Sequence, residues 1–240
     1  MLYSSCLLSE EENISVVKYF IGGKIYRRHL KRLFDLSAAI WALLLIWPFL
    51  LLIYLLLRFS IGVSIIFRQE RPGFMGRPFT IYKYRTMTHV RDSSGRLLPD
   101  KDRITRVGQF LRSFSLDELP EIFNVLKGDM SLVGPRPLMM QYLERYTPEQ
   151  ARRHEVPPGI TGWAQINGRN DLAWEEKFNL DVWYVDHQSF KLDIYIIAKT
   201  FWKVFRREGI SHDGYATAPE FMGSSLDAEH SNNRTEENIT

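Results

Sequence analysis

The sequence predicts a compact α/β domain, mostly helical with a short β-hairpin, carried on an N-terminal re-entrant membrane helix. Three observations predict it. An uncharged apolar run, Ala38 to Leu57, is about as long as a bilayer's hydrocarbon core requires, and it has basic residues on both sides. Two strand-like segments follow, Val63 to Phe67 and Phe79 to Tyr84, separated by glycine and proline. Segments with helical spacing of apolar and aromatic residues then fill the second half, notably Leu172 to Tyr184 and Leu192 to Arg207. The chain has 240 residues, 45% hydrophobic and 25% charged, enough for one domain with a substantial core.

In chain order, residues 1–23 are a mixed, polar lead-in without pattern. Residues 24–58 hold the basic flank and the membrane helix, and Gly22 to Leu36 fits a helix leading into the interface. The apolar run has no polar face, which disfavours a buried core helix. It begins too far in for a cleavable signal, and no small-residue cleavage site follows. Its N-terminal flank carries Lys24, Arg27, Arg28, Lys31 and Arg32; its C-terminal flank carries Arg58, Arg68, Arg71 and Arg77. Basic flanks favour the cytoplasm, so two of them are satisfied together when the helix enters and leaves on one side. Pro48 supplies the break, because its ring clashes with the carbonyl of Leu44 and it donates no hydrogen bond. A kinked single-pass helix is the alternative, since proline is tolerated in membrane spans.

Residues 59–222 are expected to form the folded domain. The two strands enclose RQERPGFMGRP, which predicts a hairpin with a long turn. Arg91 to Arg106 is charged and reads as loop, and Val107 to Phe114 as a short helix carrying Arg112. SLDE at Ser115–Glu118 matches a capping box, with Ser115 as N-cap and Glu118 at the third position. Leu119, Ile122, Phe123 and Leu126 would form that helix's apolar face, and Lys127-Gly128 would end it. Thr147-Pro148-Glu149 starts a helix running through Arg153. Pro157-Pro158-Gly159 forces a turn into GITGWAQINGR, a glycine-punctuated loop. Residues 223–240, rich in Ser, Asn and Glu, read as a disordered tail.

Net charge is +3, and the arginines are scattered among motifs. That suits small anionic ligands or lipid headgroups; nucleic acid is not an expected partner. A single cysteine, Cys6, excludes an intrachain disulfide. His89, His154 and His187 share no zinc-ligand spacing. The chemistry concentrates between Ser115 and Pro137. Asp117 and Glu118 are adjacent carboxylates in a first helical turn, where the helix dipole also favours phosphate. Arg136, between two prolines in GPRP, is a stiff guanidinium suited to a phosphate. Lys83 and Arg85 alternate onto one strand face in YKYRTM, Arg112 lies three residues before the cap, and Arg169 lies in NGRN. So many bases beside glycine or proline suggest places where backbone comes close to a neighbouring group. From the carboxylate pair alone, capping outweighs catalysis. Asp100 and Asp102 form an Asp-x-Asp pair, a solvated turn or a cation site on a nucleotide-sugar. Trp163 and Trp174 suit a core or a stacked base. No phosphate loop and no GxGxxG after a strand is present.

These motifs together resemble the bacterial sugar transferases, the small monotopic phosphoglycosyl transferases that act as undecaprenyl-phosphate sugar phosphotransferases. The likeness runs from about Lys31 to Gly209, through KRLFD, RPGFMGRPF, YKYRTM, LRSFSLDELPEIFNVLKGDMSLVGPRP and RRHEVPPGITGWAQINGRN. It implies transfer of a sugar-1-phosphate from a UDP-sugar to undecaprenyl phosphate, with release of UMP, as the first membrane step of a surface glycan. It implies that Asp117 is the nucleophile of a covalent intermediate, that Glu118 is its catalytic partner, and that Mg²⁺ is held at Asp117 and Glu118. Arg112 and Arg136 would stabilise charge on the transferring group; Lys83, Arg85 and Arg169 would contact phosphate or nucleotide. The family breaks its membrane helix at Ser-Pro, and this chain has Trp47-Pro48 there. Inner-membrane lipids and downstream glycosyltransferases are the further partners implied, with the domain on the cytoplasmic face. Two other functions fit the residues: a metal-dependent glycosyltransferase using Asp100 and Asp102 and releasing UDP, and a membrane-anchored phosphate-binding adaptor.

Overall fold

A computed structural model describes residues 26, 30–62, 64–168, 172–206 and 220–223. The lead-in up to residue 23 and the tail from residue 224 lie outside these residues, as does Arg169.

Helix α1, Lys31–Ser60, holds the whole apolar run and continues through Pro48. Its buried residues, Lys31, Asp35, Ala39, Leu50, Ile53 and Leu57, fall on a stripe with near-helical spacing. The opposite surface is bare: Trp41, Leu45, Phe49, Leu52 and Phe59 are all exposed. The stripe packs at three levels. Lys31 joins Asp35 at 3.1 Å and Asp193 at 2.7 Å in a buried triad. Ala39 packs with Ile81, Ile122, Val125 and Met130. Leu50, Ile53 and Leu57 pack with Ile65, Tyr84 and Leu111. The hydroxyl of Tyr84 also donates to the Leu50 carbonyl at 2.9 Å.

Strands β1, Ile66–Pro72, and β2, Pro78–Tyr84, form the expected antiparallel hairpin. Its turn is shorter than the composition suggests. β1 continues through Arg71 and Pro72, and only Gly73 to Arg77 connect the strands, with a 3-10 turn at Phe74–Gly76. The charged stretch that follows is not all loop, since α2, Asp100–Arg103, interrupts it. Helix α3, Arg106–Ser113, is capped by Thr105, whose side chain accepts from Gly108 N at 2.9 Å.

The capping box at Ser115 is not formed. Ser115 adopts a left-handed conformation with φ of 55° and makes no side-chain cap bond. Leu116–Glu121 is a 3-10 turn, and α4 begins only at Ile122, ending at Lys127. Pro120 and the ion pairs of Glu118 hold this segment in place of a cap. In α4, Ile122 and Val125 are buried, but Phe123 is exposed and does not belong to the apolar face. Gly128, at φ of 95°, closes the helix in the left-handed conformation that glycine adopts freely. Arg32 of α1 donates to the carbonyls of Val125 and Leu126, satisfying the helix end.

Strand β3, Ser131–Val133, pairs in parallel with β4, Gly159–Thr161. The second strand of this sheet, β4, lies in the stretch that reads as a glycine-punctuated loop from sequence. Between its strands, α5, Pro148–Ala151, carries a full capping box from Thr147 and Gln150, and a 3-10 turn at Arg152–His154 extends it. α6, Trp163–Asn167, follows β4. Helices α7, Trp174–His187, and α8, Phe190–Arg206, occupy the positions expected from their spacing. They pack through Tyr184, Val185 and Ile196 onto Val133 and Val156. Phe221 returns to the domain and is buried against Tyr142 and Phe178.

Candidate active site

The site forms where β2 faces the 3-10 turn of Leu116–Glu121. Asn124 of α4 fixes this contact from a fully buried position. Its side-chain oxygen accepts from Tyr82 N at 3.1 Å, and its amide donates to the Thr80 carbonyl at 2.7 Å. These bonds take up backbone groups of β2 on its side away from β1. From the other side, Leu116 and Leu119 pack onto the Leu50–Leu57 part of α1.

Glu118 is the hub. Lys83 donates to its Oε1 at 2.6 Å. Arg136 grips both oxygens, through Nη2 to Oε1 and through Nη1 to Oε2 at 3.3 Å. Burial alone would raise the Glu118 pKa, but Arg136 and Lys83 hold this carboxyl well below the usual range. Asp117 differs sharply. Among the described residues it has neither an ion pair nor a side-chain hydrogen bond. Burial and the Glu118 charge raise its pKa, opposed by Lys83, Arg112 and Arg136. One carboxylate is thus held as an anion by two cations, while its neighbour has no side-chain partner among the described residues.

Glu121, which the sequence pattern does not single out, is the third acid. It is 1% exposed, and Lys83 Nζ lies 3.1 Å from its Oε1. The contact is ionic only, because Oε1 has no hydrogen-bond partner. Burial, then the charge of Glu118, pushes this carboxyl up to about 7. Arg112 donates from Nε to Thr86 Oγ1 at 2.9 Å, which aims α3's last turn at the site. Arg85 does not join the carboxylates: β2 ends at Tyr84, and the Arg85 guanidinium contacts His89.

The position of Arg136 is set by a second layer. Arg153, 2% exposed, donates from Nη2 to the Arg136 carbonyl at 2.8 Å and to Asp181 Oδ2 at 2.6 Å. Its Nε also reaches Asp181, at 3.1 Å. The glycine before Pro135 serves the fold rather than a ligand. A Cβ on Gly134 would stand 2.4 Å from the Pro157 carbonyl oxygen, and one on Gly159 would stand 2.1 Å from Gly134 N. The GPRP and PPGITG turns therefore meet backbone against backbone.

The aromatics noted from sequence are packed. Trp163 stacks on Trp183 at 4.8 Å, and Trp174 lies among Tyr142, Phe178 and Phe221. Asp102 is exposed on α2. No three acid, histidine or cysteine side chains converge as a metal cage among the described residues. Both Glu118 oxygens are occupied, so the acids fit only a cation that brings most of its own ligands as water and phosphate oxygens. Mg²⁺ is such a cation.

The family profile described as bacterial sugar transferase matches residues 26–207. The chain is 58% identical over 195 residues to an uncharacterized sugar transferase, EpsL, of Bacillus subtilis, covering 81% of this chain and 96% of that protein. It is 40% identical over 200 residues to the undecaprenyl-phosphate galactose phosphotransferase of Salmonella typhimurium, covering 76% of this chain and 42% of that protein. Over 201 residues it is 41% identical to the undecaprenyl-phosphate glucose phosphotransferase of Komagataeibacter xylinus, covering 77% and 37%. The match thus spans nearly all of the first relative and about two fifths of the other two.

Proposed function

The chain belongs to the bacterial sugar transferase family, and from that premise we propose that it transfers a sugar-1-phosphate from a UDP-sugar to undecaprenyl phosphate. The products are undecaprenyl-diphospho-sugar and UMP. One observation carries this reading: among the described residues Asp117 has no side-chain partner, while Glu118 beside it is held by Lys83 and Arg136. A nucleophile needs a free oxygen, and only one of the two adjacent acids has one.

Asp117 attacks the β-phosphorus of the donor. The bond from that phosphorus to the bridging oxygen breaks, and UMP leaves with the electron pair. An oxygen of the lipid phosphate then attacks the same phosphorus, and the Asp117 carboxylate is released. Arg112 and Arg136 stabilise charge on the transferring group. Lys83 and Arg136 keep Glu118 ionised, and an arriving diphosphate competes with Glu118 for them. Asp117 and Glu118 are the residues that would hold Mg²⁺, which would supply charge neutralisation of the diphosphate. The sugar stays open, because relatives named for galactose and for glucose are equally similar to this chain.

The same premise extends to location: the domain sits on the cytoplasmic face of the inner membrane, with α1 entering and leaving on one side. The packing of α1 supports this. Its buried contacts fall on both sides of Pro48, at Lys31, Asp35 and Ala39 before it and at Leu50, Ile53 and Leu57 after it, so the domain lies along both arms of the helix. A helix crossing upright would carry the domain packed on Ala39 and Leu50 into the lipid. Accessibility of a tag on Met1 decides it: labelling from the periplasm overturns the re-entrant arrangement.

The reaction is tested by nucleotide release from a panel of UDP-sugars, with purified protein, Mg²⁺ and undecaprenyl phosphate. UMP from one or two donors, absent in Asp117→Asn, is expected. UDP in its place would assign the chain to glycosyl transfer, and ligand binding without turnover would leave an adaptor.

A further inference from the structure

Arg71 is a cation that the site described above does not use. It lies on β1, opposite Phe79 of β2, and Lys83 lies opposite Phe67. The register puts Arg71 and Lys83 on the same hairpin face, about 14 Å apart along β2 at ~3.4 Å per residue. Arg71 therefore faces the side of the hairpin that holds Glu118 and Glu121.

Its side chain is half-buried, and its hydrogen-bond partners among the described residues are neutral. Nη2 donates to Gln69 Oε1 at 2.6 Å, and Nη1 lies 2.8 Å from the Met139 sulfur. Among the described residues no carboxylate stands within ion-pair distance of it. Met139 is three residues past Arg136 on the same chain segment, so Arg71 and Arg136 are brought together by one turn. Burial and the nearby Arg136 charge lower the Arg71 pKa, opposed by the charges of Glu121 and Tyr142. A guanidinium that is partly desolvated, close to another guanidinium and out of ion-pair contact with the described acids is a poor structural choice unless an anion arrives. Every other arginine described at this site has a use: Arg136 holds Glu118, Arg153 holds Asp181, and Arg112 donates to Thr86.

We propose that Arg71, with Arg136, forms a second phosphate subsite that binds a phosphate other than the one Asp117 attacks. The inference rests on the proposed function, whose two displacements involve two such phosphates. One is the α-phosphate that leaves as UMP; the other is the monoester of the lipid acceptor. On the hairpin Arg71 stands opposite Phe79, four residues along β2 from Lys83, the lysine that holds Glu118 beside Asp117. The subsite lies beyond Arg136, where a phosphate receives paired N–H donors from two planar forks.

Full-length wild type, Arg71→Gln and Arg71→Lys, in detergent or nanodiscs, test it in three readouts. The first is the UMP burst with donor alone; the second is discharge of the phosphosugar-enzyme on adding undecaprenyl phosphate. The third needs no turnover: the concentration dependence of thermal stabilisation by inorganic phosphate. Arg71→Gln is expected to weaken the phosphate effect at least tenfold and to slow one of the two half-reactions, with Arg71→Lys intermediate. A slowed burst assigns the subsite to the nucleotide; slowed discharge assigns it to the lipid. Phosphate stabilisation equal to wild type in Arg71→Gln overturns the subsite. So do equal losses in both half-reactions together with a lowered melting temperature, which mark a structural arginine. If the wild type itself gives no UMP with any donor, the proposed function fails, and the phosphate titration still decides the subsite.

Discussion

Arg153 donates a hydrogen bond to the backbone carbonyl of Arg136 at 2.8 Å while its guanidinium is paired to Asp181. A residue with no exposure to a substrate thus sets the chain position of one that has it. Asp181→Asn keeps the shape and removes the charge, leaving Arg153 buried without a counter-ion. A loss of about 3–5 kcal/mol in stability is expected. Turnover measured below the new melting temperature should also fall, since Arg136 loses its fixed carbonyl. Denaturant unfolding beside steady-state kinetics checks both.

Asp117→Asn separates catalysis from folding. Turnover should fall at least on the order of 10³-fold. The Asp117 pKa is raised by burial and by Glu118, so its charge opposes folding once pH exceeds the ordinary carboxylate range. The variant should therefore be as stable as wild type at neutral pH, or more stable. In the wild type, the acid limb of the UMP-release profile should lie above the ordinary aspartate range, because the attacking oxygen must be ionised.

Glu121 makes stability depend on pH in a definite direction. Its carboxyl is pushed up from 4.5 to about 7 in the folded protein. A raised folded pKa means that its contribution is fully present below pH ~4.5 and is lost as pH rises through about 7. The loss is on the order of 3 kcal/mol across that window. Unfolding free energies from pH 5 to pH 8 should fall less steeply in Glu121→Gln than in wild type. Parallel profiles would show that the buried acid does not titrate there.

Lys31 anchors α1 between two buried acids, Asp35 and Asp193, and Tyr26 and Tyr184 donate to the latter. Lys31→Met leaves both acids without their cation. A destabilisation of about 3–5 kcal/mol is expected, recovered in part by adding Asp193→Asn. Thermal unfolding of the single and double variants measures the coupling.

The apolar run, the hairpin and the two long C-terminal helices were legible because each has a periodic or compositional signal. Asp117, Glu118, Lys83 and Arg136 stood out through spacing and glycine-proline context, and the fold brings the last three into contact. The difference between Asp117 and Glu118 was not legible, because it depends on Lys83 from another strand. Glu121 was passed over, since an acid at that spacing in a helical segment looks solvated. Arg153 and Asp181 are separated by 28 residues, and only the fold makes them a pair. The capping box misled for a related reason. Its side-chain pattern is real, but Glu118 finds stronger partners in Lys83 and Arg136 than the backbone of Ser115 offers. The parallel pair of Ser131–Val133 with Gly159–Thr161 is too short to rise above loop composition.

The contact of Gly134 with Gly159 has a consequence for how this family of turns can vary. No side chain mediates it, so there is nothing at the crossing to trim, enlarge or recharge. The place of Arg136 is governed by chain length on either side of that crossing. An insertion between Pro157 and Gly159 would break the close approach of that turn to Gly134, two residues before Arg136. Variation in donor choice is therefore more accessible through side chains reaching toward Arg136 than through any remodelling of the turn that carries it.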